Sequence, residues 1–178
     1  MKNNKKLAVS ALFLALGLLL PFLTGQIQSI GSMLLPMHIP VLLCGFICGW
    51  QYGAIVGFCT PLLRSILFGM PMMFPMAVCM AVELSVYGLV TGMMYKRWKG
   101  KLSGIYVSLL TAMLAGRMAW GITCMIVYPL LGMDFGWKIF MSGALLNAIP
   151  GIIVQLILIP TLVQASEKVQ LVNQWVTE

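Results

Sequence analysis

The sequence predicts an all-α integral membrane protein, a six-transmembrane-helix bundle with a long loop between helices 1 and 2 covering the functional site. Three observations carry that expectation. Of the 178 residues, 61% are hydrophobic and only 8% charged, with a mean hydropathy of +0.99. Soluble domains carry about a quarter charged residues, so no soluble packing would bury this much apolar surface, and the solvent is lipid. Apolar runs of helical length alternate with turn signals along the chain. Finally, the basic residues gather in two places: Lys2, Lys5 and Lys6 at the start, and Lys96, Arg97, Lys99 and Lys101 in "KRWKGK". That placement marks cytoplasmic flanks under the positive-inside rule. A net charge of +7 used in this way orients the chain in its membrane and calls for no nucleic acid.

The first span covers about residues 7–23. Its basic start and apolar run resemble a signal peptide, but no small-residue cleavage site is evident and more spans follow, so it reads as a retained helix. Pro21 and the polar "TGQIQS" end it, and 24–38 forms the long loop. The second span, 37–49, is short: about thirteen residues rise roughly 20 Å against a hydrocarbon core of roughly 30 Å. It must be shielded by protein, and the preceding loop is its expected cover. "GWQYG" at 49–53 separates it from the third span, 53–68, and "FGMP" at 68–71 separates that from the fourth, 73–95. The fifth, 102–128, follows the basic cluster, and the sixth, 138–164, follows "GMDFGW" at 132–137. Residues 165–178, "ASEKVQLVNQWVTE", read as a cytoplasmic tail, so 1–178 is a single membrane domain. An even number of spans places both termini on one side, and the basic start and "KRWKGK" make that side the cytoplasm. No internal repeat appears, which removes support for inverted-repeat transporter designs.

Three charged residues fall well inside the spans, Arg64, Glu83 and Arg117, and Asn147 adds a buried amide. Counting the rise per residue puts Arg64 roughly 16 Å, Glu83 roughly 15 Å, Arg117 roughly 22 Å and Asn147 roughly 16 Å above the inner face. Four helices would thus bring polar groups into one band, and an intramembrane charge is a functional hypothesis by default. A structural alternative is an Arg64–Glu83 ion pair tying the third and fourth helices. It would leave Arg117 without a carboxylate, a surplus cation suited to an anionic guest. Tyr87 lies one turn from Glu83, Trp120 one turn from Arg117, and Gly143 and Gly151 flank Asn147 at four-residue spacing. Pro36 and His38, at the end of the long loop, are placed to gate access from outside.

The five cysteines lie in apolar stretches and, with a single histidine, form no zinc pattern. Methionine-based copper binding is not favoured either, because "MPMMFPM" at 70–76 reads as a loop entering a helix. No metal and no cofactor is expected. The chain has no phosphate-binding GxxxxGK[ST] loop and no catalytic pairing of histidine with serine or carboxylate, so an enzyme is the weaker class. A binding subunit that borrows a motor, a gradient-driven carrier with Glu83 as proton site, and a structural membrane subunit remain.

Ala11 and Ala15 in "LAVSALFLALG" form a small-xxx-small face that permits close approach by another helix. The same spacing also serves internal packing. With "LLPMHIPVLLCGFICGW", "YGAIVGFCTPLLRSILFGMP" and "AVELSVYGLVTGMMYKRWKG", this basic start and alanine face resemble the substrate-binding S components of energy-coupling factor (ECF) vitamin transporters over nearly the whole chain. The resemblance implies capture of a vitamin or precursor from outside. It also implies docking through Ala11 and Ala15 onto a transmembrane T component that carries two ATPase subunits, and toppling in the membrane to deliver the ligand. It places substrate beneath the first loop, which would make Arg64, Glu83, Arg117, Asn147, His38, Tyr87 and Trp120 its contacts. Two arginines against one glutamate favour a carboxylate-bearing guest, pantothenate first, with riboflavin, folate and pyridoxine or pyrimidine precursors as alternatives.

Overall fold

The structure, a computed structural model, describes residues 2–24, 33–98, 101–133, 136 and 148–168. These form six α-helices: α1 (Lys2–Leu19), α2 (His38–Cys48), α3 (Trp50–Phe68), α4 (Val78–Arg97), α5 (Leu102–Leu130) and α6 (Ile149–Lys168). A 3-10 turn, Leu20–Thr24, carries the chain through Pro21 after α1, and a π-helical turn, Met73–Ala77, leads into α4. No strand occurs among the described residues. Residues 25–32 of the expected loop, and 138–147 of the expected sixth span with Gly143 and Asn147, lie outside them.

Breaks fall where backbone chemistry dictates. Gly49 alone separates α2 from α3; its φ of +99° is open to glycine and unfavourable for residues with a Cβ. Gly69 ends α3 in the left-handed conformation, its N–H donating to the Ser65 carbonyl at 3.0 Å, a common way to close a helix C-terminus. Because one residue suffices for the first break, α3 starts at Trp50 and not near 53. That shift moves every residue of α3 along the bundle axis relative to the sequence-based count.

Packing is set by glycine. A Cβ on Gly88 would lie 2.2 Å from the Gly53 carbonyl, one on Gly57 2.2 Å from Leu84 O, and one on Gly92 2.2 Å from Trp50 N. Thus α3 and α4 run antiparallel in backbone contact, the close approach that small residues allow where lipid supplies no hydrophobic drive. Helix α2 is buried on nearly all sides between α1, α3, α4 and α6, which is where a helix that is apolar all round belongs. Gly17 on α1 abuts the Thr60 methyl of α3, and α1 runs parallel to α3. At the far end of the chain the Tyr95 hydroxyl of α4 donates to the Glu167 carboxylate of α6.

These contacts gather the start of α1, the end of α2, the start of α3, the end of α4, the start of α5 and the end of α6 at one end of the bundle. Lys5, Lys6, Lys96, Arg97 and Lys101 lie there, hereafter the basic end. The bundle is apolar outside and keeps its intramembrane charges within an otherwise apolar core: Leu114 is 70% exposed, whereas Arg64 and Glu83 are 3% and 2% exposed. This is the arrangement of a multi-pass membrane protein. Four stretches are long and apolar enough to cross a membrane, Asn3–Leu23, Met73–Arg97, Leu102–Leu130 and Ile149–Glu167. The second predicted span is the 11-residue α2, too short by length, and α3 has the length but not the mean apolarity. Glycines, Gln51, Thr60 and Arg64 dilute it.

Candidate functional site

Glu83 sits on the inner stripe of α4, with Cys79 and Tyr87 one turn to either side, all buried. Two other helices bring groups to it. Gly116 of α5 lies directly beneath the Tyr87 ring, where a Cβ would come within 2.8 Å of the ring carbons. That close approach sets Arg117 against Glu83, with Nη1 2.9 Å from Oε1. At the head of α2, His38 has Nε2 3.5 Å from the same oxygen, and its ring meets Tyr87 edge-on at 5.1 Å between centroids. The chain reaches this position through Leu35, whose φ of +51° costs a non-glycine residue about 1–2 kcal/mol. The His38 N–H then donates to the Leu35 carbonyl at 3.0 Å.

The structure therefore assembles Glu83, Arg117, His38 and Tyr87 from α2, α4 and α5. Hydrogen bonding within the group is far from saturated. Among the described residues, Arg117 Nε and Nη2 and both His38 nitrogens are buried without a hydrogen-bond partner, and Glu83 Oε1 receives no aligned donor although Arg117 lies 2.9 Å away. The Arg117–Glu83 contact is thus an attraction of charges whose directional bonding capacity stays open. Buried polar atoms left unpaired cost about 1–3 kcal/mol each. A cluster of them on a charged pair is a fixed set of donors able to take up an acceptor-rich guest.

Arg64 is not part of this group. Its Nη1 donates to the Leu18 carbonyl of α1 at 2.6 Å, and its Cζ lies 5.1 Å and 5.5 Å from the ring centroids of Phe22 and Phe68. Carrying the Gly57–Leu84 register forward sets Arg64 level with residue 77, six residues or about 9 Å from Glu83 toward the end opposite the basic one. The early start of α3 accounts for much of that offset and corrects the common depth expected of the two residues. Glu83 pairs with Arg117, not with Arg64. Among the described residues it is Arg64 that meets no carboxylate.

Trp120, one turn along α5 from Arg117, is half-buried against Cys79, Cys124 and Val127. Asn147 lies outside the described residues. Ala11 and Ala15 are exposed, while α1 packs inward through Ser10, Phe13 and Gly17. Among the described residues, Gln155 on α6 is a buried side chain with an unpartnered polar atom that the sequence reading does not single out, 1% exposed with Nε2 unpartnered. Its signal was a lone amide inside the apolar run "IIVQLILIP". Among the described residues no group of three or more histidine, cysteine or acidic side chains is placed to hold a metal.

A family model described as "ECF transporter, substrate-specific component" matches residues 5–163 of the chain. No curated protein and no solved structure matches it significantly.

Proposed function

The chain belongs to the substrate-specific components of ECF transporters, and from that premise we propose that it captures a carboxylate-bearing, water-soluble vitamin or precursor. It is a substrate-binding transporter subunit in a membrane. Its guest of first choice is pantothenate, taken from outside a bacterial plasma membrane and delivered inward with a transmembrane T component and two ATPase subunits that supply the ATP hydrolysis. Riboflavin, folate and pyridoxine or pyrimidine precursors are the competing guests.

The observation that supports this reading most is the buried Arg117–Glu83–His38 group with its open donors. Arg117 can present Nε and Nη2 to a carboxylate in the two-pronged geometry that makes such pairs strong. Glu83 holds the guanidinium in place and balances its charge before the guest arrives. His38 and Tyr87 line the same spot, and pantothenate offers hydroxyls and an amide to further donors. Residues 33–38, the described part of the expected cover with Pro36 and His38 at its end, stand on the outer side of this spot in this reading. In this arrangement all six helices cross the membrane, α2 and α3 within the shelter of the others, with the basic end and both termini cytoplasmic.

The purified protein screened against pantothenate, riboflavin, folate and pyridoxine by thermal shift and native mass spectrometry tests the substrate. Stabilisation by pantothenate above the other three is expected. Stabilisation by another member replaces it as the substrate, and none by any member removes the vitamin reading. Uptake that needs ATP and co-purifying ATPases distinguishes this protein from a gradient-driven carrier.

A further inference from the structure

Among the described residues outside the site, Gln155 is the one whose side chain carries a buried polar atom without a hydrogen-bond partner. It belongs to the inward stripe of α6, with Gly151, Ile159 and Val163, all buried. A glutamine there costs stability unless its amide is bonded, yet its Nε2 has no partner among the described residues. Leucine or isoleucine would fill an apolar stripe without that cost, so the amide calls for an explanation beyond packing.

Two independent registers give its depth. Helices α4 and α6 both finish at the basic end, where the Tyr95 hydroxyl meets Glu167. Glu83 lies twelve residues before Tyr95, and Gln155 twelve before Glu167. Equal counts along two parallel helices, about 18 Å each, bring Gln155 to the level of Glu83. The second register comes from the other side of the site. A Cβ on Gly151 would lie 2.6 Å from Met33 O and 3.0 Å from Leu34 C and O, so α6 crosses there under the segment leading into α2. Gln155 is one helical turn on from Gly151, while the chain passes from Leu34 through the turn at Leu35 to His38 at the head of α2. The count along α4 and α6 and this crossing together bring Gln155 near the layer that holds His38, Glu83 and Arg117.

We infer that Gln155 is a substrate-contacting residue of α6, which completes the ring of helices around the Arg117–Glu83 pair and donates from Nε2 to an uncharged acceptor of the guest. This rests on the substrate-capture reading and narrows it. The guest carries a carboxylate for Arg117 and, separately, a carbonyl or hydroxyl oxygen for Gln155. A purely anionic guest without a second acceptor would leave that donor unpaired and bind poorly.

Gln155→Leu keeps the volume and removes the donor. Two readouts on the full-length protein in detergent decide the matter. In the first, the ligand-free thermal midpoint of Gln155→Leu is compared with wild type. A donor unpaired in the fold can be removed without loss, so an unchanged or raised midpoint is expected. A fall of several degrees overturns the inference, because Gln155 is then a structural residue. In the second, binding is measured with pantothenate and with pantothenol, which keeps the amide and replaces the carboxylate by an alcohol. Gln155→Leu should weaken both by the same factor, roughly 10- to 100-fold, leaving their ratio as in wild type, whereas Arg117→Met should bring the two affinities together. Wild-type affinity in Gln155→Leu overturns the inference and leaves the proposed function standing. Failure of both probes to bind the wild type removes pantothenate as substrate, while the ligand-free midpoint still decides whether Gln155 is structural.

Discussion

Arg64 on α3 donates from Nη1 to the carbonyl oxygen of Leu18, in the last turn of α1, across 2.6 Å. The last carbonyls of a helix have no intrahelical donor and carry the negative end of the helix dipole. In lipid no water replaces the missing donor, so a guanidinium from a neighbouring helix is a fitting partner. Phe22 and Phe68 flank the cation and meet each other edge-on at 4.9 Å. The arginine set into "TPLLRSILFGMP" thus fastens the end of α1, at the point where the chain leaves for the loop, to α3.

Arg64→Ala should therefore lower stability. Hydrogen bonds to charged groups contribute about 1.5–3 kcal/mol, and thermal unfolding in detergent should register a loss of that size. Arg64→Lys should recover only part of it, because an ammonium lacks the planar face that stacks against both rings. An Arg64→Ala variant with an unchanged midpoint and no ligand binding would instead place Arg64 among the substrate contacts.

The Arg117–Glu83 pair can be separated into its structural and binding roles. Removing one partner leaves a buried charge uncompensated and costs about 3–5 kcal/mol, so Arg117→Met alone and Glu83→Leu alone should both unfold at markedly lower temperature. The double substitution should return much of that stability, since a buried pair replaced by apolar residues is often neutral. It should not return ligand binding, which needs the Arg117 donors. Recovery of both stability and affinity in the double variant would show the pair to be a fastening between α4 and α5 and nothing more.

Gly88→Ala tests the backbone contact that holds the bundle together. The added Cβ would lie 2.2 Å from the Gly53 carbon and oxygen, a main-chain obstacle that no rotamer change relieves. Helices α3 and α4 must part, and α2, whose Gly45 packs on the Gly88 carbonyl, moves with them. A loss of more than about 3 kcal/mol is expected, in the range seen for core overpacking and above. Expression and monodispersity in detergent give the first reading, and thermal unfolding the second.

Composition and charge placement made the membrane character legible, and glycine and proline signals located the breaks, because both act locally. Span count was less direct. Helix α2 is too short, and α3 too polar, to announce itself by length and hydropathy, since each is sheltered by neighbours that a sequence does not display. Within the site, Glu83, Tyr87, Arg117 and His38 were all legible as intramembrane or loop-end polar residues. Their partners were not. A three-residue shift in the start of α3, permitted by the conformation of Gly49, accounts for about half of the distance that separates Arg64 from the layer depth counting assigned to it. Gln155 went unnoticed because an uncharged amide in an apolar run gives a weaker signal than a charge, although its burial cost is of the same kind.

The exposed face of α1 carries the last prediction. Ala11 and Ala15 point away from the bundle, among the exposed Leu7, Leu12 and Leu19, while Phe13 and Gly17 make the inward contacts. Internal packing therefore does not explain the small residues. A flat strip between leucines is suited to a second transmembrane helix, where close van der Waals contact supplies the attraction. Ala11→Leu combined with Ala15→Leu should change the stability of the isolated protein by no more than about 0.5 kcal/mol, the usual range for surface positions, and leave vitamin affinity as in wild type. Co-purification with the T component and ATPases should fail, and ATP-driven uptake with it. A double variant that assembles and transports normally would mean that the partner helix docks elsewhere. If instead the isolated variant loses ligand affinity, the strip is coupled to the pocket through α1, and the Arg64–Leu18 bond becomes the first place to look.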